Sequence, residues 1–303
     1  MPHTLHVLTG CTAVGKTALA LRWAEVNGAE IVSCDSLLFY RGMDIGTAKP
    51  ARAELARVPH HLIDIREVTG RMDVTDYVTL ARAAVTQILG RGRKVLVTGG
   101  SGFYLKAFFA PIADEIAVPS ALRAEVRQRL EKEGLNSLVE ELRRLNSAGL
   151  GPLDVKNPRR VGRALERCLA SGRTLADLKM DFAAQPGPFA DCEVRLCELV
   201  REKAELDQRI TQRVAAMLQA GLMDEVRRLL AGGLRQNPSA ARAIGYRESI
   251  DCIEQRLPEG DLAETIGQST RALVKKQRTW FKTQLPAHRQ VPAATVQFSE
   301  LFA

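Results

Sequence analysis

Gly10-Cys11-Thr12-Ala13-Val14-Gly15-Lys16-Thr17 constrains the fold more than any other stretch of this chain. It follows a short β-prone apolar run, Leu5–Leu8, and leads into Ala18-Leu19-Ala20-Leu21, which reads as the first turns of a helix. Strand, glycine-bounded loop ending in Gly-Lys-Thr, then helix is the arrangement that wraps a phosphate group. Gly10 and Gly15 permit backbone angles that turn successive N–H groups of Thr12, Ala13 and Val14 toward one point. The new helix adds its own unpaired N–H groups and the positive end of its dipole. Lys16 supplies a mobile cation for phosphate oxygens, and the Thr17 hydroxyl is placed to ligate Mg²⁺. A phosphorylated small molecule is the ligand this pattern expects.

The rest of the chain predicts a sheet to carry that loop. Glu30–Cys34 reads as a second buried strand, stopping at Asp35-Ser36. His61–Ile65 is a third candidate and Lys94–Thr98 a fourth, with a helix from Asp73 to Leu89 between them, acidic at its start and ended by Gly90. Alternating strands and helices predict a parallel α/β sheet. Near Pro111–Pro119 the pattern becomes helical throughout. Leu122, Val126 and Leu130 recur at four-residue spacing, as do Leu138 and Leu142, with Gly134 separating the two helices. Asn157-Pro158 opens another helix. A strand returns at Glu193–Val200. A helix carrying Leu206, Ile210, Val214 and Met217 follows, broken near Gly221 or ending at Gly232-Gly233, and two more span Arg242–Gln255 and Asp261–Lys282. The expected organisation is an α/β core from residues 1–115 and 190–303, interrupted by a helical insertion at 116–189.

At 303 residues, 46% hydrophobic and 26% charged, the chain has the balance of an ordinary globular protein. No apolar run is long enough to cross a bilayer, and the first residues lack a charged segment followed by an apolar one, so a cytoplasmic location is expected. The six cysteines show no two-residue gap of a zinc or redox motif and are expected to be free and reduced. The net charge of +8 favours a polyanionic partner. Positive charge concentrates at Arg271, Lys275, Lys276, Arg278 and Lys282 of the last long helix, and at Arg159, Arg160, Arg163 and Arg167.

An ordinary ATPase of this architecture needs an apolar strand ending in an acid that holds hydrated Mg²⁺. Lys94–Thr98 runs instead into Thr98-Gly99-Gly100. Asp35 is the one acid that closes a strand near the loop. Three roles fit it at this stage: a residue of the metal shell, a general base over a nucleophile, or the cap of a turn.

The phosphate loop, Asp35–Pro50 with its run Gly42-Met43-Asp44-Ile45-Gly46-Thr47-Ala48-Lys49-Pro50, Pro59–Asp64, Gly99–Tyr104, Asn157–Arg160, Ala243–Glu248 and Lys275–Phe281 together resemble the tRNA dimethylallyltransferases, in order along nearly the whole chain. The resemblance implies a P-loop NTPase-like parallel sheet flanked by helices. It also implies transfer of a dimethylallyl group from dimethylallyl diphosphate to N6 of the adenosine immediately 3′ of a tRNA anticodon, with Mg²⁺ as cofactor and a monomeric, non-membrane protein. On this resemblance Gly10, Thr12, Ala13, Val14, Gly15, Lys16, Thr17 and Arg242 hold the diphosphate, with Thr12 and Arg242 assisting the departure. Asp35 takes the proton from N6. Asp35, Ser36, Leu37, Leu38 and Ser101 lie where the base enters. Arg159, Arg160, Arg163 and Arg167 suit the anticodon stem, and Lys275, Lys276 and Gln277 look like a second RNA contact, whereas Trp280 reads as core packing. Leu38 stands where many relatives carry Gln, Ser101 where Thr is usual and Cys11 where Pro is usual. The absence of a cysteine- and histidine-bearing module after Phe281 is similar to the bacterial form. Prenylation of free AMP or ATP, or phosphorylation of a small molecule, are the alternatives the motifs leave.

Overall fold

Short apolar runs pair side by side into one six-stranded sheet whose ladders are all parallel. The computed structural model describes residues 2–112, 114 and 116–302. The strands are β1 (His3–Gly10), β2 (Ala29–Ser33), β3 (His60–His61), β4 (Lys94–Thr98), β5 (Cys192–Val200) and β6 (Arg289–Pro292), in the order β3-β2-β4-β1-β5-β6. Parallel strands need crossovers, and helices supply them: α1 (Lys16–Asn27), α2 (Arg52–Leu55), α3 (Val74–Gly90), α4 (Gly102–Lys106), α5 (Ser120–Leu145), α6 (Pro158–Ser171), α7 (Leu175–Ala184), α8 (Lys203–Gln219), α9 (Leu222–Ala231), α10 (Pro238–Ala241), α11 (Tyr246–Ile253) and α12 (Leu262–Gln284).

Side chains of the central strands alternate between two apolar clusters, one on each sheet face. Leu8, Ile31 and Leu96 enter the first, with Trp23, Ile210, Val214 and Val274. Leu5, Val7, Val32, Val95 and Val97 enter the second, with Tyr77, Ile88 and Leu105. Burial on both faces is why these strands read as near-continuous apolar runs. β1 and β2 are not neighbours, because β4 lies between them with Leu5 opposite Val95 and Ile31 opposite Leu96. The crevice at the carboxyl ends of such strands is where ligands bind in open α/β sheets.

Two sequence expectations differ from the fold. The third strand is only His60–His61 and not His61–Ile65. Leu62 and Asp64 adopt left-handed φ values of 63° and 54°, which end a ladder. The segment folds back on the residues after Asp35 instead, with Asp64 N–H donating to Leu38 O (3.0 Å) and Ile65 N–H to Phe39 O (2.9 Å). The helix expected from Arg242 starts at Tyr246, because Gly245 has φ 89° and Arg242 ends the short α10. Edge strand β6 was not foreseen. The short helices α2, α4 and α10 were likewise not foreseen; the remaining expected strands and helices lie within a few residues of their predicted positions, including the break at Gly221 (φ 92°) between α8 and α9.

The chain divides into two compact units, Met1–Ala110 with Gly187–Ala303, and Pro111–Pro186. The second is helical, with α5, α6 and α7 around Val126, Leu138, Leu142, Val161, Leu165 and Cys168. Gly134, at φ 82° and ψ 173°, interrupts the run of α5. Asn157 caps α6 by accepting from Arg160 N–H, with Pro158 at the first helical position.

Candidate functional site

The loop after β1 is shaped by close approach as much as by turn chemistry. A Cβ on Gly10, at φ 147°, would stand 2.6 Å from the Leu199 carbonyl oxygen, so only glycine lets β1 turn against β5. Ala13 (φ 65°) and Gly15 (φ 108°) continue the curl, and α1 begins at Lys16. The Lys16 ammonium donates to Gly10 O at 2.8 Å and Cys11 O at 3.0 Å, lying back across the loop it serves. Three side chains from far along the chain brace the outside. Arg209 Nε donates to Ala13 O (2.8 Å), Arg201 Nε to Val14 O (3.1 Å), and Thr12 N–H to Gln277 Oε1 (2.9 Å). Thr17 is exposed, and its hydroxyl has no protein partner among the described residues.

The carboxylate comes from the end of β2. Asp35 Oδ1 accepts from Leu37 N–H at 3.0 Å, and Ser36 N–H donates to Ser101 Oγ at 3.0 Å. These bonds turn Asp35–Leu38 out of the sheet, and the capping role foreseen for Asp35 is thereby met without engaging its other oxygen. Asp35, Ser36, Leu37, Leu38 and Ser101 are all half-buried. The tip of β4 has no side chain to separate β1 from β2. A Cβ on Gly99 would lie 2.0 Å from Cys34 O, and one on Gly100 would lie 3.3 Å from Gly10 O and 3.7 Å from Lys16 Nζ.

Electrostatics link the two sides. Burial pushes the Lys16 ammonium down to about 8, with the Cys11 and Asp35 side chains opposing that shift. Burial also lowers Arg213, and the Asp35 charge again opposes it. Lys16, Asp35 and Arg213 therefore share one field. Burial raises the Cys11 thiol, so it stays neutral beside the loop.

A buried clamp holds the Gly42–Pro50 run next to this site. Glu225 of α9, 1% exposed, accepts from the N–H groups of Asp44 (3.0 Å), Ile45 (2.8 Å) and Gly46 (3.1 Å) and from the Tyr246 hydroxyl (2.7 Å). Lys49 Nζ pairs with Asp44 (2.7 Å) and Asp64 (2.5 Å) and reaches Tyr40 O. Arg213 donates to Thr47 O at 3.1 Å, which ties the clamp to a guanidinium whose charge the Asp35 carboxylate favours.

The remaining sequence candidates divide. Arg242 is exposed; its backbone N–H donates to Pro238 O, and its side chain makes no hydrogen bond or ion pair among the described residues. The arginines that hydrogen-bond the loop are Arg201 and Arg209, and Arg213 is bonded to Thr47 O; none of the three was singled out from sequence. The four-residue spacing of Arg209 and Arg213 on an apolar-faced helix was the signal available. In the helical unit Arg159, Arg160 and Arg163 are exposed, while Arg167 pairs with Asp114. Lys275 and Lys276 are exposed on α12. Both ends of the Gln277 amide are engaged within the protein: Oε1 accepts from Thr12 N–H, and Nε2 donates to Gly100 O at 2.9 Å. Trp280 packs over Gly102, where a Cβ would meet its ring at 2.5 Å. The six cysteines are free, and no group of three or more histidine, cysteine or acidic side chains is arranged to hold a metal among the described residues. No helix of the described residues is long and apolar enough to cross a membrane.

Known proteins resemble this chain along most of its length. The family model for IPP transferase matches residues 38–284. The chain is 65% identical to the tRNA dimethylallyltransferase of Opitutus terrae, over 97% of this chain and 94% of the relative. It is 40% identical to that of Deinococcus radiodurans, over 95% and 92%. Among solved structures, the tRNA isopentenylpyrophosphate transferase of Bacillus halodurans superposes with a TM-score of 0.70 at 30% identity, over 99% of this chain and 93% of that one.

Proposed function

The chain belongs to the IPP transferase family, and from that premise we propose that it is a tRNA dimethylallyltransferase, moving a dimethylallyl group from dimethylallyl diphosphate to N6 of the adenosine immediately 3′ of the anticodon. One observation carries the reading beyond the family name. The tip of β4 runs into Gly99 and Gly100, which lie against Cys34 (the residue before Asp35) and against the Lys16 ammonium, and it offers no acid for hydrated Mg²⁺ of the ATPase kind. A loop that holds a leaving group, opposite a lone carboxylate, suits alkyl transfer better than nucleotide hydrolysis.

The chemistry follows from what each group can supply. The adenine amino group is a weak nucleophile, because its lone pair is delocalised into the ring. As the N6–C1 bond forms and the C1–O bond to diphosphate breaks, Asp35 takes the N6 proton, a contribution of about 10²- to 10⁴-fold. The loop N–H groups, the Lys16 ammonium and Arg213 stabilise the departing charge, with Thr12 and Arg242 added on the family resemblance. Ser101 holds Ser36 and so aims the Asp35–Leu38 turn. Leu38 offers an apolar edge to the base in place of an amide.

Mg²⁺ is the cofactor we infer. The unpartnered Thr17 hydroxyl beside a diphosphate nest, with no acid cluster nearby, suits an ion bound mostly through phosphate oxygens and water, not a protein cage. When bound it supplies further neutralisation of the leaving diphosphate.

The target base is stacked in its loop and must leave the stack to reach a half-buried carboxylate. The exposed arginines of α6 and lysines of α12 suit an RNA backbone, whose binding weakens steeply with salt. The test is transfer of labelled dimethylallyl from its diphosphate to an unmodified anticodon stem-loop with Mg²⁺ and without ATP. Label in RNA is expected. Label appearing in free AMP or ATP but not in the stem-loop, or ATP-dependent phosphorylation of a small molecule, would replace this reading.

A further inference from the structure

α12 carries exposed Lys275 and Lys276, yet Gln277, the next residue, turns inward to the phosphate loop, and Arg278 after it reaches an arginine that braces the loop. Gln277 accepts from Thr12 N–H and donates to Gly100 O, both at 2.9 Å. Arg278 donates to the Arg201 carbonyl at 2.6 Å, and Arg201 in turn donates to Val14 O. One helix therefore bears on both the entry and the exit of the loop. Trp280, about one turn further on, packs over Gly102 and fixes the roll of the helix. The clearance is small: a Cβ on Gly100 would stand 2.9 Å from Gln277 Nε2 and 3.7 Å from Lys16 Nζ.

A carboxamide is suited to this place because one planar group accepts at one end and donates at the other without bringing charge. A carboxylate would accept from Thr12 but leave Gly100 O without its donor, and would set a negative charge beside a diphosphate. A lysine would lose the acceptor. We propose that Gln277 is a positioning residue for the diphosphate, setting Thr12 and the left-handed turn at Ala13, and that it is not an RNA contact. This rests on the diphosphate reading of the loop given above.

Steady-state transfer to an anticodon stem-loop tests it, with Gln277→Met, Gln277→Glu and, for comparison, Lys276→Ala. Gln277→Met is expected to raise KM for dimethylallyl diphosphate about five- to thirty-fold, the factor that one to two net hydrogen bonds represent. KM for the stem-loop should stay within about twofold, since no RNA contact is lost. Lys276→Ala should show the opposite split. Gln277→Glu should raise the diphosphate KM further and recover part of it in high salt, a dependence that lost packing alone does not produce. A stem-loop KM that rises while the diphosphate KM holds, or two constants that both stay at the wild-type value, would overturn the assignment. If the methionine variant does not fold, the glutamate variant, which keeps the Thr12 bond, carries the same comparison. Calorimetry with inorganic diphosphate reads the loop without turnover. A wild type that binds diphosphate more tightly than Gln277→Met yet transfers nothing would overturn the proposed function and leave this role standing.

Discussion

Replacing Asp35 with asparagine separates chemistry from architecture at this site. The structural duty of the carboxylate is one bond, Oδ1 accepting from Leu37 N–H at 3.0 Å. An asparagine oxygen accepts the same bond in the same volume, so the Asp35–Leu38 turn should survive with a stability change under about 0.5 kcal/mol. What disappears is the base and one negative charge. Loss of a positioned base costs about 10²- to 10⁴-fold, equivalent to roughly 3–5 kcal/mol of barrier. The lost charge acts the other way on the first substrate: an anionic diphosphate no longer faces a carboxylate across the crevice, so its affinity should hold or rise. The expected signature is a collapsed single-turnover rate with undiminished dimethylallyl diphosphate binding and an unchanged melting curve. Asp35→Ala should show the same rate loss and, with Leu37 N–H deprived of its acceptor, about 1 kcal/mol less stability. An asparagine variant within tenfold of the wild-type rate would refute the base assignment. A rate loss accompanied by more than tenfold weaker diphosphate binding would return Asp35 to the metal shell.

Other outcomes follow from the same contacts. Because burial holds the free Lys16 ammonium at about 8 and a bound diphosphate raises it, dimethylallyl diphosphate affinity should fall as pH climbs above about 8, with proton uptake on binding there. Calorimetry in two buffers of different ionisation enthalpy checks this, and no uptake at pH 9 would refute it. Glu225→Ala strands three backbone N–H groups and a tyrosine hydroxyl in the interior, a loss of about 3 kcal/mol that should lower Tm by roughly 6–12 °C. A drop below 2 °C would show that the Gly42–Pro50 run is held by something else. Arg213→Met should reduce kcat by about 10²-fold or more, the cost of one donor at a developing oxyanion, and should exceed the cost of Arg242→Met. The reverse order would restore Arg242 as the principal cation.

Most of the frame could be read from local signals. β1, the loop and α1 form one contiguous unit, so Gly10–Thr17 could be read without knowing what surrounds it, and Asp35 could be read as a strand end because Glu30–Cys34 is apolar enough to be buried. Long-range partners were not legible. Arg201 and Arg209 reach the loop across 187 and 196 residues and Gln277 across 265, and although the Arg209–Arg213 spacing and the Lys275–Phe281 run mark two of these stretches, no local pattern says which loop atoms they meet. Glu225 looked like one more acid on an amphipathic helix, although it is buried against a loop 180 residues earlier. β6 escaped notice because only Val291 of its four residues is buried. Residues 61–65 were misread because the apolar side chains of Ile63 and Ile65 mimic a strand, while the left-handed angles at Leu62 and Asp64 are set by the loop they bond to.

The bare tip of β4 also bears on how freely such a protein can change trade. An ancestor or descendant that splits nucleotides would need an acid at the tip of β4, and a Cβ at residue 99 would stand 2.0 Å from the Cys34 carbonyl oxygen. Making room means shifting the end of β2, which is the ground Asp35 stands on. Drift toward phosphate hydrolysis would therefore forfeit the proton acceptor before it gained the metal, leaving an intermediate competent in neither reaction. The crowding that brings two strand ends together acts as a ratchet.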